Sequence, residues 1–383
     1  MTSGGSSAAD STPSLADLRA AGTAAGLAVV GATTAEVLEP AATVLAARRS
    51  EGLAATMQFT YRNPSRSADP AAALPSARSV VVGAYAYRRT WPSAPSPTSA
   101  RVARYAWSDI YGELRVGLEA MADVLRASDF RAVVVADSNA LVDRNAAWRA
   151  GIGWYGKNTN LLVPGHGSWY VLGAVITDAE IPGEADPVAD QCGLCRQCLD
   201  ACPTGAFIRP GVLDARRCIA WLVQAAEPIP IELRAAVGDR LYGCDDCQDV
   251  CPPNLIEVRR STDAAPPADA VPWVDLVELL GLDDASLLER HGRWYIADRD
   301  PDVIRRTALV NLGNIGDPSN DAVVATLVRY LDCDRPLLRQ HARWAARRLG
   351  LAGLVDARPD DDPDVAAEDE HHVPIRPDLE PSA

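Results

Sequence analysis

The stretch from Gln191 to Asn254 limits the fold more than any other part of this chain. It contains CGLCRQCLDACP, with Cys192, Cys195, Cys198, Cys202 and Pro203, and then CDDCQDVCP, with Cys244, Cys247, Cys251 and Pro252. Cys218 stands alone between the two runs. The first run reads C-x2-C-x2-C-x3-C-P. In that spacing three thiolates hold one 4Fe–4S cubane and the fourth reaches across to a second. Such a chain must fold so that two separated stretches meet around inorganic clusters.

Eight thiolates serve two cubanes. The crossed pattern assigns Cys192, Cys195, Cys198 and Cys251 to cluster 1, and Cys202, Cys218, Cys244 and Cys247 to cluster 2. Zinc held by C-x2-C pairs is the competing reading, but zinc sites need neither the three-in-a-row spacing nor the C-P ending. The ninth cysteine, Cys333, lies in a helical region and reads as a small buried hydrophobe. The start, MTSGGSSAADSTP, lacks the basic and apolar segments of an export signal, so disulfides are not expected and the location reads as cytoplasmic. Two neighbouring clusters form an electron wire, and the first half of the chain should hold what the wire reduces.

At 383 residues, two or three domains are expected. No apolar run is long enough to span a membrane. The formal net charge of −14 argues against a nucleic-acid partner only until its distribution is seen. The final segment, from Pro359, carries nine acids and one base, so −8 of the −14 lies there. Local basic faces elsewhere remain open. Residues 1–13 read as a disordered lead-in and 357–383 as an acidic disordered tail.

Hydrophobic periodicity places a helix at SLADLRAAGTAAGL from Ser14, a strand at AVVGA, and further strands at SVVVGAYAY and RAVVVADS, with a helix over Tyr111–Ala127 between the last two. NLLV and WYVLGAVIT read as a hairpin. After a Pro/Ala linker at 261–272 the chain is helical. PDVIRRTALVNLGNIG and PLLRQHARWAARRLG resemble each other at an offset of about 34 residues, which suits helix-pair repeats of HEAT type. The expected organisation is a multidomain α+β chain: a mixed α/β domain over 14–180, a two-cluster ferredoxin-like module over 181–260, and a linker with C-terminal α-helical HEAT-like repeats over 261–356.

Two residues in the first half stand out. Asp137 follows three valines and so sits at the C-terminal end of a strand, where α/β sheets place chemistry. It reads either as a helix cap for DSN or as a general acid. Lys157, in GIGWYGKNTN, is the only lysine among 37 basic residues. A site that needs one narrow point donor resists exchange to the planar arginine fork. GKNT is not a P-loop, because the glycine spacing is wrong.

In their order, DS…RAGIGWYGKNT, CGLCRQCLDACPTGAF, DARRCI and YGCDDCQDVCPPN resemble the epoxyqueuosine reductases, over roughly residues 14 to 350. The resemblance implies an oxidoreductase whose N-terminal domain binds cobalamin base-off, without a protein histidine ligand, and whose clusters reduce the cobalt. Its substrate would be epoxyqueuosine in a tRNA anticodon loop and its product queuosine, with an external electron donor and a monomeric state. Asp137 matches the family's proton donor and also belongs to the corrinoid pocket. Arg62, Lys157, Asn158 and Thr159 match positions that line the corrinoid. Arg305, Arg306, Arg339, Arg343, Arg347 and Arg348 read as tRNA-phosphate ligands or as solvated helix faces. RYAWSDIYG and CIAWLVQA depart from the family pattern. They leave open a corrinoid iron–sulfur reductase acting on a small molecule. A third reading is an electron-transfer or tRNA-binding adaptor.

Overall fold

The computed structural model describes residues 12–260 and 266–379. The expected lead-in lies almost wholly outside them. Ser14 starts the first helix, α1 (Leu15–Ala24), through a capping box with Asp17. The first half is built on a sheet of β1 (Val29–Thr34), β2 (Ser79–Ala86), β3 (Ala132–Ala136) and β4 (Tyr170–Thr177), in the order β1-β2-β4-β3. All three pairings are antiparallel. Helix α2 (Ile110–Arg126) covers one face with Leu114, Leu118, Met121 and Leu125, joined by Leu18 and Leu27. Helix α3 (Asp143–Arg149) covers the other with Ala146 and Ala147. Covering both faces explains why β2 reads as an unbroken apolar run. Gly83 and Gly173 are paired across β2 and β4. A Cβ at Gly173 would lie 2.6 Å from Leu118, so the close seat of α2 depends on that glycine.

The expected hairpin of NLLV with WYVLGAVIT does not form. Leu161–Leu162 pairs back onto Trp154–Tyr155, while β4 runs to the centre of the main sheet. Its eight residues find partners on both sides there, which a two-stranded ribbon could not offer.

A second sheet ties the chain together. Ser99–Val102 lies between Arg240–Tyr242, parallel, and Trp273–Asp275, antiparallel. Ala100, Val102 and Trp107 are buried in the core of the helical end. The span 14–180 is therefore not closed on itself.

The cluster module contains the short helix α4 (Gln197–Asp200), the hairpin strands β5 (Phe207–Arg209) and β6 (Val212–Leu213), and helices α5 (Asp246–Asp249) and α6 (Pro252–Arg260). The helical end follows with α7 (Asp302–Ile315), α8 (Asp321–Leu331) and α9 (Pro336–Arg348). Gly313 of α7 meets Ala345 of α9 at a distance that leaves no room for a side chain. Cys333 packs partly buried against this core, as expected.

The tail is not disordered over the residues described. Asp362 caps a further helix, α10 (Pro363–Ala367), and the acids bind the arginines of α9. Arg339 donates to Asp360 at 2.6 Å, Arg343 pairs with Asp369, and Arg347 reaches Asp369 at 3.1 Å. Arg234 holds Glu368 through two 2.8 Å hydrogen bonds, and both residues are buried. Helical spacing stacks Arg339, Arg343 and Arg347 on one ridge, and that ridge is a counter-charge the tail's composition alone does not reveal. Residues 380–383 lie outside the described set.

The same contacts correct the reading of the repeat arginines as a tRNA face. Arg305 pairs with Asp284 and Asp302. Arg306 is fully buried and donates to the carbonyls of Leu222, Ala225 and Glu227. Arg348 donates to the carbonyl of Pro374 at 2.7 Å. Nor are they solvated: they hold the helical end and its tail together.

Candidate active site and electron path

Asp137 stands just past the end of β3 with φ of 47°, in the left-handed region that a short polar side chain tolerates best. It does not cap a helix. Helix α3 begins six residues later, at Asp143, after Val142. Among the described residues no hydrogen bond is made to the Asp137 carboxylate. It reaches solvent, yet enough protein surrounds it that desolvation raises its pKa, with Arg115 pulling the other way. Arg115 is fixed by a hydrogen bond to the carbonyl of Ala136.

Further groups gather around it, and sequence reading missed them. Burial raises the pKa of Asp143, opposed chiefly by Arg144. Tyr111, on the first turn of α2, is pushed far up by burial and by the charges of Asp137 and Asp143. Tyr155, hydrogen-bonded to Asn145, is pushed up to about 12, mainly by burial. Arg144 bears electrostatically on Asp143, Tyr111, Tyr155 and, more weakly, the Cys218 thiol. The available signal was its place on α3, seven residues beyond Asp137.

The nine cysteines are free thiols. Among the described residues no three His, Cys, Asp or Glu side chains converge as ligands of a single ion. The thiols of the two runs nonetheless bear on one another electrostatically. Cys251 is raised to about 11, first by burial and then by Cys198, Cys192 and Cys195. Cys218 faces Cys202, Cys244 faces Cys218, and Cys247 faces Cys244 and Cys218. These influences are compatible with the crossed sets expected for clusters 1 and 2, and Cys247 bears on Cys198 as well. Burial lifts Cys244 and Cys247 well above the usual thiol range, so their ionisation needs the metal's charge beside it. The indole N–H of Trp154 is buried without a partner, packed with Cys251 and Cys192. It is a spare donor placed where a cluster sulfur would accept.

Lys157 is half-buried, and its ammonium is committed to the backbone of the first cysteine run. It donates to the carbonyls of Gly193 at 2.6 Å and Cys195 at 2.8 Å. Asn158 is buried and reaches the carbonyl of Cys247 at 3.4 Å. Thr159 has φ of 66°, rare for a β-branched residue and costly enough to need a surrounding reason. Arg62 is exposed, its carbonyl accepting from Arg49. The structure thus brings Asn158 and Lys157 to the cysteine runs and leaves Arg62 on the rim. None of the five histidines belongs to the Asp137 group. The residues there would therefore hold a corrin without offering it an imidazole.

Arg104 welds the cluster module to the first half. Its backbone and guanidinium bind Asp245, and the guanidinium also reaches Asp249 at 2.7 Å. Burial pushes the Asp245 carboxyl up to about 6 against the pull of Arg104.

The fold and the site define a double-cluster iron–sulfur oxidoreductase. Residues 191–254 match the 4Fe–4S double cluster binding domain family. The chain is 34% identical over 334 residues to the epoxyqueuosine reductase of Bacillus subtilis, covering 85% of each. It therefore belongs to the epoxyqueuosine reductase family. Among solved structures it resembles an epoxyqueuosine reductase bound to an epoxyqueuosine-modified tRNA-Tyr stem loop, at 31% identity and a TM-score of 0.83, over 92% of this chain and 96% of that one. It also resembles a Bacillus subtilis epoxyqueuosine reductase whose catalytic aspartate loop is swung out of the active site, at 30% identity and a TM-score of 0.81, with the same coverage. Among the described residues no helix is long and apolar enough to cross a membrane.

Proposed function

We propose that this chain reduces epoxyqueuosine to queuosine in a tRNA anticodon loop, with Asp137 as the proton donor. The observation that carries the reading is the Asp137 carboxyl. It is left without a hydrogen bond at a strand end, and its pKa is raised by desolvation. The likeness to a relative solved with a modified stem loop supports the substrate. The integrity of Asp137 and both cysteine runs makes the small-molecule alternative the weaker reading.

Bound base-off, cobalamin supplies a low-valent, nucleophilic cobalt, and the two clusters supply its electrons. The protein's own part follows from its residues. Asp137 holds a proton for the departing oxygen, and its raised pKa keeps more of that proton near neutral pH. Arg115 tempers the shift. Tyr111, Tyr155 and Asp143 line the wall, and Arg144 offers a cation beside the oxygen that leaves. Arg62 and the strained turn Lys157–Asn158–Thr159 would border the corrin, the lysine through its backbone. We assign the cobalamin domain to 14–180 with the exception of the segment Ser99–Trp107, the ferredoxin-like module to 181–260, and HEAT-like repeats to 261–356. A tRNA substrate places the reaction in the cytoplasm.

The tRNA contact belongs at the rim of this site. Arg48 donates to the carbonyl of Gly211 on the β5–β6 turn. Arg49, Arg62, Arg209 and Arg216 are exposed, and Phe59, 45% exposed, offers a ring for stacking. Phosphate binding by such a rim weakens steeply with salt. Arg49→Ala and Arg62→Ala should each flatten the slope of log affinity against log salt by about 0.7–0.9, whereas Arg339→Ala should leave it unchanged.

The deciding experiment is anaerobic turnover of epoxyqueuosine tRNA by reconstituted protein with cobalamin and a strong reductant, read by nucleoside mass. Loss of one oxygen with the wild type and not with Asp137→Asn is expected. If cobalamin and both clusters are bound and no oxygen is lost, the substrate assignment is wrong.

A further inference from the structure

Two stretches depart from the family pattern, RYAWSDIYG at 104–112 and CIAWLVQA at 218–225, and the structure brings them together. The side-chain amide of Gln224 donates to the phenol of Tyr105 at 3.0 Å. A loop of the helical end, 291–296, packs onto the first stretch. The Arg293 guanidinium donates to the carbonyls of Ala106, Trp107 and Ser108, and the Trp294 indole donates to that of Ala106 at 3.2 Å. Ser108 lies three residues before Tyr111, the phenol that feels the charge of Asp137. One turn further along α2, Arg115 donates to the carbonyl of Ala136, beside the acid. The loop is therefore tied to the Asp137 site through a single short segment.

One residue of this loop turns its side chain to solvent. Tyr295 is 58% exposed, while Trp294 and Ile296 on either side of it are 5% exposed. A lone exposed aromatic is ordinary on a protein surface. This one stands on an unusually firm base. Its backbone N–H donates to the phenol of Tyr242 at 2.8 Å, and the same phenol donates to its carbonyl at 3.3 Å. The Tyr242 ring is buried and stacks on Trp294 at 4.6 Å, and Trp294 stacks in turn on His291 at 4.6 Å. All of these contacts belong to the backbone of Tyr295 or to its neighbours. The charges along the loop cancel, Arg293 and Arg299 against Asp298 and Asp300. A surface of that kind suits a flat, neutral group better than a phosphate.

We propose that Tyr295 is a stacking platform for a base of the tRNA anticodon loop next to the modified nucleoside, and so a specificity-determining residue of this enzyme. A ring on fixed backbone loses little freedom when a base settles on it. Stacking accepts any base, because every base has a π-face, and it releases no counterions. It therefore adds affinity without adding to the salt dependence that the arginine rim supplies. This assignment rests on the tRNA reading above.

The test uses holoprotein and an anticodon stem loop that carries 2-aminopurine on one side or the other of the modified position. Anisotropy follows binding across a salt series, and quenching of the 2-aminopurine follows stacking. Tyr295→Ala should weaken binding roughly tenfold, the scale of one lost base stack. It should relieve the quenching and keep the wild-type slope of log affinity against log salt. Tyr295→Leu, which keeps bulk without a π-face, should behave like Tyr295→Ala. Tyr295→Phe should bind like the wild type, and so should Ile375→Ser, at another exposed apolar residue. Iron content and urea midpoint are recorded for each variant, and the backbone bonds to Tyr242 survive every substitution at 295. Wild-type affinity in Tyr295→Ala and Tyr295→Leu would overturn the proposal. A loss in Tyr295→Phe equal to that in Tyr295→Ala would overturn it too, because the hydroxyl and not the ring would then be the contact. A wild type that binds the stem loop while Tyr295→Ala binds it equally removes the platform and leaves the tRNA reading standing. A wild type that does not bind the stem loop at all removes both.

Discussion

The ammonium of Lys157 lies 2.8 Å from the backbone oxygen of Cys195, the second cysteine of the first run, 38 residues further along the chain. One compact donor converges there on two carbonyls, Gly193 and Cys195, a geometry a planar fork does not match. Lys157→Arg should therefore behave more like Lys157→Met than like wild type. Hydrogen bonds from charged groups contribute about 1.5–3 kcal/mol each when well made. Partial exposure puts the expected loss at the lower end, about 1–3 kcal/mol for the pair. Cluster 1 should be lost sooner on dilution into chelator in both variants, and its midpoint potential should drop in Lys157→Met, where a fixed positive charge has left its loop. Potentiometry followed by electron paramagnetic resonance reads both effects.

Asp137→Asn should abolish turnover with both clusters and cobalamin retained. The pH profile gives a finer test. A general acid works only while protonated, so activity must fall as pH rises through its pKa. Burial has raised that pKa, so the fall comes at higher pH than for an ordinary carboxyl. Arg115 opposes the rise, so Arg115→Gln should move the falling limb higher still. A limb that stays put in Arg115→Gln removes Asp137 from the role.

Glu368→Ala strips the partner from a guanidinium that is 1% exposed. Breaking a buried pair on one side costs about 3–5 kcal/mol. Urea unfolding should show that loss, whereas Glu119→Ala, which breaks an exposed pair with Arg126, should cost less than about 1 kcal/mol.

Two buried histidines give the helical end an acid limit. Burial depresses His291 to about 4, and holds His341 well below its ordinary value of 6.5. Each binds its proton less readily folded than unfolded. The stability they add is present above pH 6.5 and drains away as pH falls toward 4, by up to about 1.4 kcal/mol per unit for each. Asp245, raised to about 6, works in the opposite direction between roughly pH 4 and 6. Denaturant midpoints at pH 7 and pH 5 should show a net loss in acid, smaller in His291→Gln.

What was legible in the sequence was what its neighbours along the chain determine. The cysteine runs mark residues 191–254 as a double-cluster domain because their spacing is a local pattern. The valines before Asp137 place it at a strand end because alternation and burial act over a few residues. Contacts between distant residues were not legible. Nothing near Lys157 points to Gly193 and Cys195. Nothing in PDDDPDVAAEDE points to the arginines of α9, 21 to 26 residues away, so an acidic run looked solvated. The strand at 170–177 was paired with its nearest neighbour, and the sheet supplied two better ones. Arg144 escaped notice because its influence on Tyr111 and Tyr155 exists only in the folded chain.

The bond between Arg234 and Glu368 also sets an order in time. The two are separated by 134 residues, and the carboxylate leaves the ribosome long after the guanidinium's surroundings could have collapsed. Until then the helical end cannot close without stranding a charge. A chain lacking residue 368 would bury the Arg234 guanidinium without its carboxylate.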